Sequence, residues 1–362
     1  MKPYVANMLP LESSQIDISF FLNELINATS KLEVYKTKIE DSKLANEWFL
    51  PTLQQTEALK SSLLEGTQAT LDGVLVNQVI PDEKDKDLTE VFNYYKATGE
   101  GYSYLRNNVF SIDFINSIHK TLMSGNIRRT SDRIGAFRIE QNYIGKIKGR
   151  QELTFIPPEH EHVEELMENL TAYIDNPNDN LQPLIRAAII HAQFLTIHPY
   201  MDGNGRVGRM LIPMYLYSCK QIDLPCFFVS EALERDKFRY YKLLNDIRFE
   251  GKWNEWIKFF LSIISAQCEK YIGIVTDINQ LYEKDLEKAK KLVRSSKIVD
   301  VISLLYKYPV ITAVMLAKEA SIPTTSANRY LNILSENEMI YQDDSKSRNR
   351  TFYYYDLLNI LR

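Results

Sequence analysis

The chain has 362 residues, enough for two or three domains at roughly 150 residues each. With 45% hydrophobic and 25% charged residues it has an ordinary globular composition, which excludes a disordered chain, a collagen and a small disulfide scaffold. A formal net charge of −4 excludes a chain-wide basic field, so any binding of nucleic acid or anionic lipid must come from a local patch. Cys219, Cys226 and Cys268 form no CxxC, so neither a disulfide framework nor a structural zinc site is indicated. No run of 18 apolar residues and no leading apolar segment occurs, which sets the expectation of a cytoplasmic protein without a membrane partner.

Glycine and proline are scarce and helical periodicity dominates, so the expected fold class is mainly α. Residues 12–46 read as helix, with Phe20, Phe21, Leu25 and Ile26 at three-to-four spacing. Pro51 fits a second helix start, and that pattern runs to a glycine stop at Gly66. The segment 77–87 carries a proline and alternating charge and reads as a loop, closing an N-terminal helical segment over 1–87. The central domain, 88–262, reads as helical except over 137–157, where β-formers around Gly145 and Gly149 predict a hairpin that Pro157-Pro158 ends. A helix over about 159–175 and a turn cluster over 175–180 follow. A charged helical stretch over 263–294 leads to a last unit at 295–362. There three short helices precede strands, with Pro323 in a turn between helices, Thr324 or Thr325 as an N-cap, and two strands around a polar tip. That is the pattern of a winged helix-turn-helix.

The chemistry concentrates in HPYMDGNGRVGR, residues 198–209, between two helical patterns. Gly203, Asn204 and Gly205 give a tight turn just before a helix N-terminus, where unpaired amides and the helix dipole suit phosphate. Arg206 and Arg209 lie three apart on the outgoing helix and can face one ligand together. Asp202 is a natural ligand for Mg²⁺ bridging phosphate oxygens. His198 can take a proton near neutral pH. Other readings exist. Gly203, Gly205 and Gly208 match GxGxxG as text, but that fingerprint needs a strand before it and a helix precedes it here. A hydrolytic metal on His198 and Asp202 lacks an obvious third protein ligand. A plain glycine-rich connection between helices, with surface arginines, is the remaining alternative.

HPYMDGNGRVGR resembles the signature of the Fic family, HxFx[D/E]GNGRxxR, departing only at Tyr200, which keeps an aromatic plug. FRIEQNYIG (137–145), YYKLLNDIRFEGKWNEWIKFFL (240–261) and SSLLEGTQATL (61–71) extend the resemblance over most of the chain. It implies a Fic-type helical core with a hairpin flap, a winged-helix appendage, and transfer of AMP from ATP to Ser, Thr or Tyr hydroxyls of a target protein and of the chain itself. By the same resemblance His198 is the general base, Asp202 holds Mg²⁺, and Gly203, Asn204 and Gly205 offer amides and a side chain to the phosphates. Arg206 and Arg209 offset charge toward the leaving pyrophosphate. Ile144 and Gly145 belong to the flap over the nucleotide, which can pair with an extended target segment. Tyr240 and Arg248 match positions that touch adenine or ribose, although the family often has Asn at the latter. For Tyr240 and Tyr241, core packing is the alternative. Relatives of this layout are often homodimers.

Ser61 to Gly66 fits the family's inhibitory pattern, [S/T]xxxE[G/N]. Ser61 and Glu65 lie four apart on one helix face, and Gly66 ends that helix. Glu65 brought to Arg209 would take the place of the γ-phosphate. A surface helix with a C-terminal glycine is the plain alternative. His191 reads as a packed histidine, and His119, His160 and His162 show no convergent partners. Pro213 predicts a kink in the helix after the motif. Residues 291–362 carry ten Lys and Arg against seven Asp and Glu. Asn328, Arg329, Asn332, Lys346, Arg348 and Arg350 are the candidate DNA contacts there. The rival reading of the chain is therefore a nucleotide-sensing, DNA-binding regulator.

Overall fold

The computed structural model describes residues 2–44, 46–81, 84–128, 131–145, 155–343 and 350–362. The protein is mainly α. In chain order the helices are α1 (Leu22–Glu40), α2 (Asn46–Leu64), α3 (Leu71–Val79), α4 (Lys86–Leu105), α5 (Ile112–Leu122), α6 (Val163–Asp175), α7 (Pro183–Ile197), α8 (Asn204–Ser218), α9 (Ser230–Arg235), α10 (Lys237–Glu250), α11 (Trp253–Leu292) and α12 (Lys297–Lys307). Then come β1 (Val310–Thr312), α13 (Ala313–Glu319), α14 (Thr324–Glu336), β2 (Tyr341–Gln342), β3 (Thr351–Tyr353) and α15 (Tyr355–Leu361). The three strands form one antiparallel sheet in the order β1-β3-β2.

Helices α7 and α8 make the centre. Nearly every residue of α7 is buried, since PLIRAAIIHAQFLTI offers only Arg186 as a charged residue. Gly208 lets α8 lie close against it: a Cβ there would stand 3.0 Å from Leu195 and 3.3 Å from Phe194. The third glycine of the GxGxxG text thus serves helix packing. Helix α11 is one helix of 40 residues, roughly 60 Å long, and it runs unbroken across residue 262. It packs on α1, α7, α12 and α15, and Trp256 Nε1 donates to the Ala188 carbonyl of α7 at 2.9 Å. Helix α2 touches α4, α9 and α12, so it is a packed helix rather than a surface one. Asp285 of α11, buried, accepts from Tyr306 (2.9 Å) and from Tyr354, tying the last unit to the long helix. The main apolar core of the described residues therefore runs from Leu9 to Leu361, beside a small second cluster of Leu75, Val310 and Leu358.

Several local expectations change. Residues 12–46 are not one helix. Two 3₁₀ turns (Ser13–Gln15 and Ile18–Phe21) precede α1, because the Asp17 side chain caps Ser19 N–H at 3.0 Å and its backbone N–H is held by Asn254. Phe21 and Leu25 are buried, whereas Phe20 and Ile26 are exposed. Pro51 lies inside α2, which starts at Asn46. Helix α3 occupies the start of the expected loop, capped by Thr70, whose hydroxyl accepts from Gly73 N–H at 3.1 Å. Pro323, not a threonine, is the N-cap of α14, and strand β1 and helix α15 are additions to the C-terminal reading. Of the expected hairpin, the described part is a single antiparallel bridge between Ile144 and Phe155. Gly149 and the rest of 146–154 lie outside the described residues.

Adding a methyl group at the α7–α8 contact forces the Leu195 and Phe194 side chains to give way. Gly208→Ala is expected to lower stability by about 1–3 kcal/mol, measured by chemical denaturation.

Candidate active site

Helix α7 ends because His198 takes the left-handed conformation (φ 51°, ψ 59°), its N–H still donating to the Phe194 carbonyl at 3.0 Å. A residue bearing a Cβ holds that conformation only when its surroundings enforce it. Arg138 does so. Its buried guanidinium donates to the carbonyl of His198 at 3.0 Å and to that of Pro158, and its backbone N–H donates to Pro199. Arg138 lies within FRIEQNYIG, but nothing in its spacing assigned it this task.

The turn that follows is locked by Asn204. Tyr200 N–H donates to Asn204 Oδ1 at 2.9 Å, and Asn204 Nδ2 returns a bond to the Tyr200 carbonyl at 2.8 Å, where Asn142 Nδ2 also donates at 2.9 Å. The side chain of Asn204, expected at the phosphates, is bonded here to the turn's own backbone. Gly203 then takes φ 80° as the N-cap of α8, a conformation glycine adopts at little cost. The amides of the first turn of α8 have no intrahelical acceptors.

His119 was expected to be without convergent partners, and the structure overturns this. Its ring stacks on Tyr200 with centroids 3.7 Å apart and planes 3° apart. Nδ1 accepts from Gly135 N–H at 2.9 Å, so the ring proton is on Nε2, which donates to the Asp202 carbonyl at 3.1 Å. Burial holds its pKa down to about 4. His191 is the packed histidine expected. Its Nδ1 donates to the Gly208 carbonyl at 2.8 Å, and Nε2 accepts from Tyr240 Oη at 2.9 Å.

The two motif arginines meet two carboxylates. Arg209, 1% exposed, donates through Nε to Ser61 Oγ and through Nη2 to the Ser61 carbonyl and to Glu65 Oε1, each at 2.8 Å. Arg206 is buried too, with Nη1 3.7 Å from Glu90 Oε2. Ser61 is in the last turn of α2. Glu65 N–H donates to the Ser62 carbonyl, Gly66 N–H to that of Leu63, and Gly66 takes φ 94°. Gly205 makes room for this approach, because a Cβ there would stand 2.1 Å from Glu65 Oε1. Burial opposes the charge on Glu65, but the Arg209 guanidinium outweighs it and holds the carboxyl below its ordinary value. Burial likewise opposes the charge on Arg209, which Glu65 more than restores, whereas on Arg206 burial prevails.

Among the described residues, Arg206 Nε and Nη1, Arg209 Nη1 and His198 Nδ1 are buried with no hydrogen-bond partner. Orphaned donors at a helix N-terminus have the chemistry of an anion site. The described residues hold no group of three or more His, Cys, Asp or Glu fit for a metal ion. The half-buried Asp202, with its carbonyl fixed by His119, is the one motif carboxylate beside this place.

The Fic/DOC family model matches residues 109–216, and the Fic/DOC family N-terminal model matches 22–103. The chain belongs to the Fic/DOC family. The protein adenylyltransferase Fic of Drosophila willistoni is 24% identical over 165 residues, 44% of this chain and 30% of that protein. The Drosophila mojavensis protein of the same name is 26% identical over 147 residues, 40% of this chain and 26% of that protein. The match thus spans less than a third of those relatives. A crystal structure of a Fic family protein from Desulfovibrio desulfuricans superposes with a TM-score of 0.57 at 20% identity, covering 98% of both chains. A Fic-1 fragment from C. elegans gives 0.54 at 18% identity over 71% of this chain and 73% of that one.

In this Fic chain Tyr240, expected at the nucleotide, packs beside His191. The ring is fully buried and its hydroxyl is used by His191, while Tyr241 beside it is 40% exposed. Arg248 instead holds the last turn of α7, donating to the Leu195 carbonyl at 3.0 Å and to Thr196 Oγ1 at 3.3 Å, with its guanidinium 4.0 Å from the Phe155 ring centroid. Ile144 exchanges both backbone bonds with Phe155, and Gly145 follows at φ 128°.

Burial, then the neighbouring Arg248 charge, pushes the pKa of His198 down to about 3; burial does the same for His191. With His119 near 4, three imidazoles that titrate near 6.5 in an unfolded chain stay neutral when folded. Between about pH 6.5 and 4 the unfolded chain therefore binds more of these protons, and stability falls as pH falls. Buried Glu57, raised to about 7, has the opposite sign over this window but supplies only one proton against three. The melting temperature is expected to drop steadily from pH 6.5 to 4.5; a flat profile would contradict neutral buried imidazoles.

Proposed function

We propose that this Fic chain is an autoinhibited protein adenylyltransferase that transfers AMP from ATP to a Ser, Thr or Tyr hydroxyl of a target protein, and of itself, with release of pyrophosphate. The observation that carries the reading is the convergence at one helix N-terminus of a neutral His198, the two buried arginines with orphaned donors, and the Glu65 carboxylate on Arg209.

The chemistry follows from these residues. His198 is neutral at physiological pH and takes the proton of the target hydroxyl; a positioned base contributes roughly 10²–10⁴ in rate. The hydroxyl oxygen bonds to the α-phosphorus as the bond to the pyrophosphate oxygen breaks. The amides of Gly203, Asn204 and Gly205 receive phosphate oxygens, and Arg206 and Arg209 neutralise charge that grows on the leaving group. The single carboxylate of Asp202 suits Mg²⁺, which takes one or two protein carboxylates with substrate phosphates; when bound, that ion would offset phosphate charge. Ile144 and Gly145 begin a strand edge that an extended target segment can extend.

In the structure described, Arg209 is occupied. Its partner Glu65 stands where the end of a triphosphate would pair, so ATP would be held with its α-phosphate misdirected. A charge-assisted bond of this kind is worth about 1.5–3 kcal/mol, so Glu65→Gly is expected to raise labelling from α-labelled ATP by on the order of 10–100-fold. His198→Ala in the Glu65→Gly background is expected to abolish the label. Unchanged labelling in Glu65→Gly would remove the autoinhibition reading.

A second reading rests on α13, α14, β2 and β3. Their order supports a winged helix-turn-helix over 295–362, with Arg329 exposed and Asn328 and Asn332 half-buried on α14. Arg350 is bonded to Gln342, and Lys346 and Arg348 lie outside the described residues. A retarded DNA fragment with no protein label at all would favour the nucleotide-sensing regulator.

A further inference from the structure

The carboxylate of Glu90, on α4, is 4% exposed and stands between the anion site and the turn that carries Glu65. Oε2 accepts from Thr67 Oγ1 at 2.8 Å, and Thr67 is two residues past Glu65. The same oxygen is 3.7 Å from Arg206 Nη1. Oε1 accepts from the backbone N–H and the Nε of Arg128, at 3.2 and 3.3 Å. Asp87, one turn earlier on α4, accepts from Gln68 N–H at 3.1 Å and from the Arg128 guanidinium. Residues 67 and 68 are thus fastened to α4, while α2 ends at Leu64 and Gly66 supplies the bend. Thr67 itself is 2% exposed, so its hydroxyl has no water to turn to.

We propose that Glu90 and Thr67 are positioning residues that latch the inhibitory turn: Glu90 counters the charge of Arg206 and, through the Thr67 hydroxyl, holds the turn so that Glu65 reaches Arg209. This rests on the autoinhibitory reading of Glu65. The physical reason is entropic. Glu65 lies beyond the end of its helix, and a carboxylate on a free terminus must be ordered before it can pair. A buried bond to Glu90 does that ordering in advance. The arrangement also places the latch next to Arg206, so a polyphosphate that draws Arg206 away from Glu90 acts on the same carboxylate that fixes the turn.

Thr67→Val tests this, because valine keeps the shape and removes only the donor. With Glu65 intact, Thr67→Val is expected to raise self-labelling from α-labelled ATP by on the order of tenfold, the worth of a buried bond to a charged acceptor. Thr67→Ser, which keeps the hydroxyl, is expected to stay at the parental level. In the Glu65→Gly background Thr67→Val is expected to add nothing, since the group it positions is gone. A Thr67→Val protein with the parental melting temperature and parental labelling overturns the latch. So does a further rise in the Glu65→Gly background. If Glu65→Gly itself fails to raise labelling, the autoinhibition reading falls instead, and the two failures are told apart.

Discussion

The buried guanidinium of Arg209 is the interaction on which the site's present arrangement depends. A charge taken out of water needs a partner and hydrogen bonds, or its burial is prohibitive. Arg209 finds both on α2, in the hydroxyl and carbonyl of Ser61 and the carboxylate of Glu65. The N-terminal helical segment is therefore held to the motif helix through the group that the proposed chemistry needs for phosphate. Stabilising the fold and occupying the proposed anion site are the same contact.

The rest of the site is built to be rigid before any ligand arrives. Its turn is closed from inside by Asn204, stacked from behind by His119 on Tyr200, and gripped at its carbonyls by Arg138 and Asn142. Arg248 fastens the last turn of α7, one residue short of the left-handed His198. Such preorganisation is what positioning and charge neutralisation require, because groups that move during the reaction forfeit much of the gain. These supports draw on α5, α10 and the segment before the flap, which explains why a motif of twelve residues needs a domain around it.

Helix α2 has a further place in the architecture. It packs on α4, α9 and α12, and Thr52 Oγ1 donates to the Tyr306 carbonyl at 3.1 Å, so the helix that presents Ser61 also touches the C-terminal unit. Among the described residues, no helix is long and apolar enough to cross a membrane.

The motif was legible from sequence because its residues are contiguous: His198, Asp202, the glycines, Arg206 and Arg209 carry their spacing with them, and the Ser61–Gly66 helix end is equally local. Helix class was legible too, from periodicity. Helix limits were less so. Pro51 was misplaced because a packed helix tolerates an interior proline, and residues 12–21 because an Asp17 cap and a tether to α11 override the pattern. His119, Arg138 and Glu90 had no sequence signal, being ordinary residues that act only through partners on other segments of the chain. Tyr240 could be read as site or core, and only the tertiary structure shows its ring buried beside His191. The sequence by itself determined which groups the chain gathers at the proposed phosphate site, since bonded neighbours cannot separate. The tertiary structure alone decided which of those groups are already taken, since a buried hydrogen bond depends on desolvation and on partners that the linear order does not bring together.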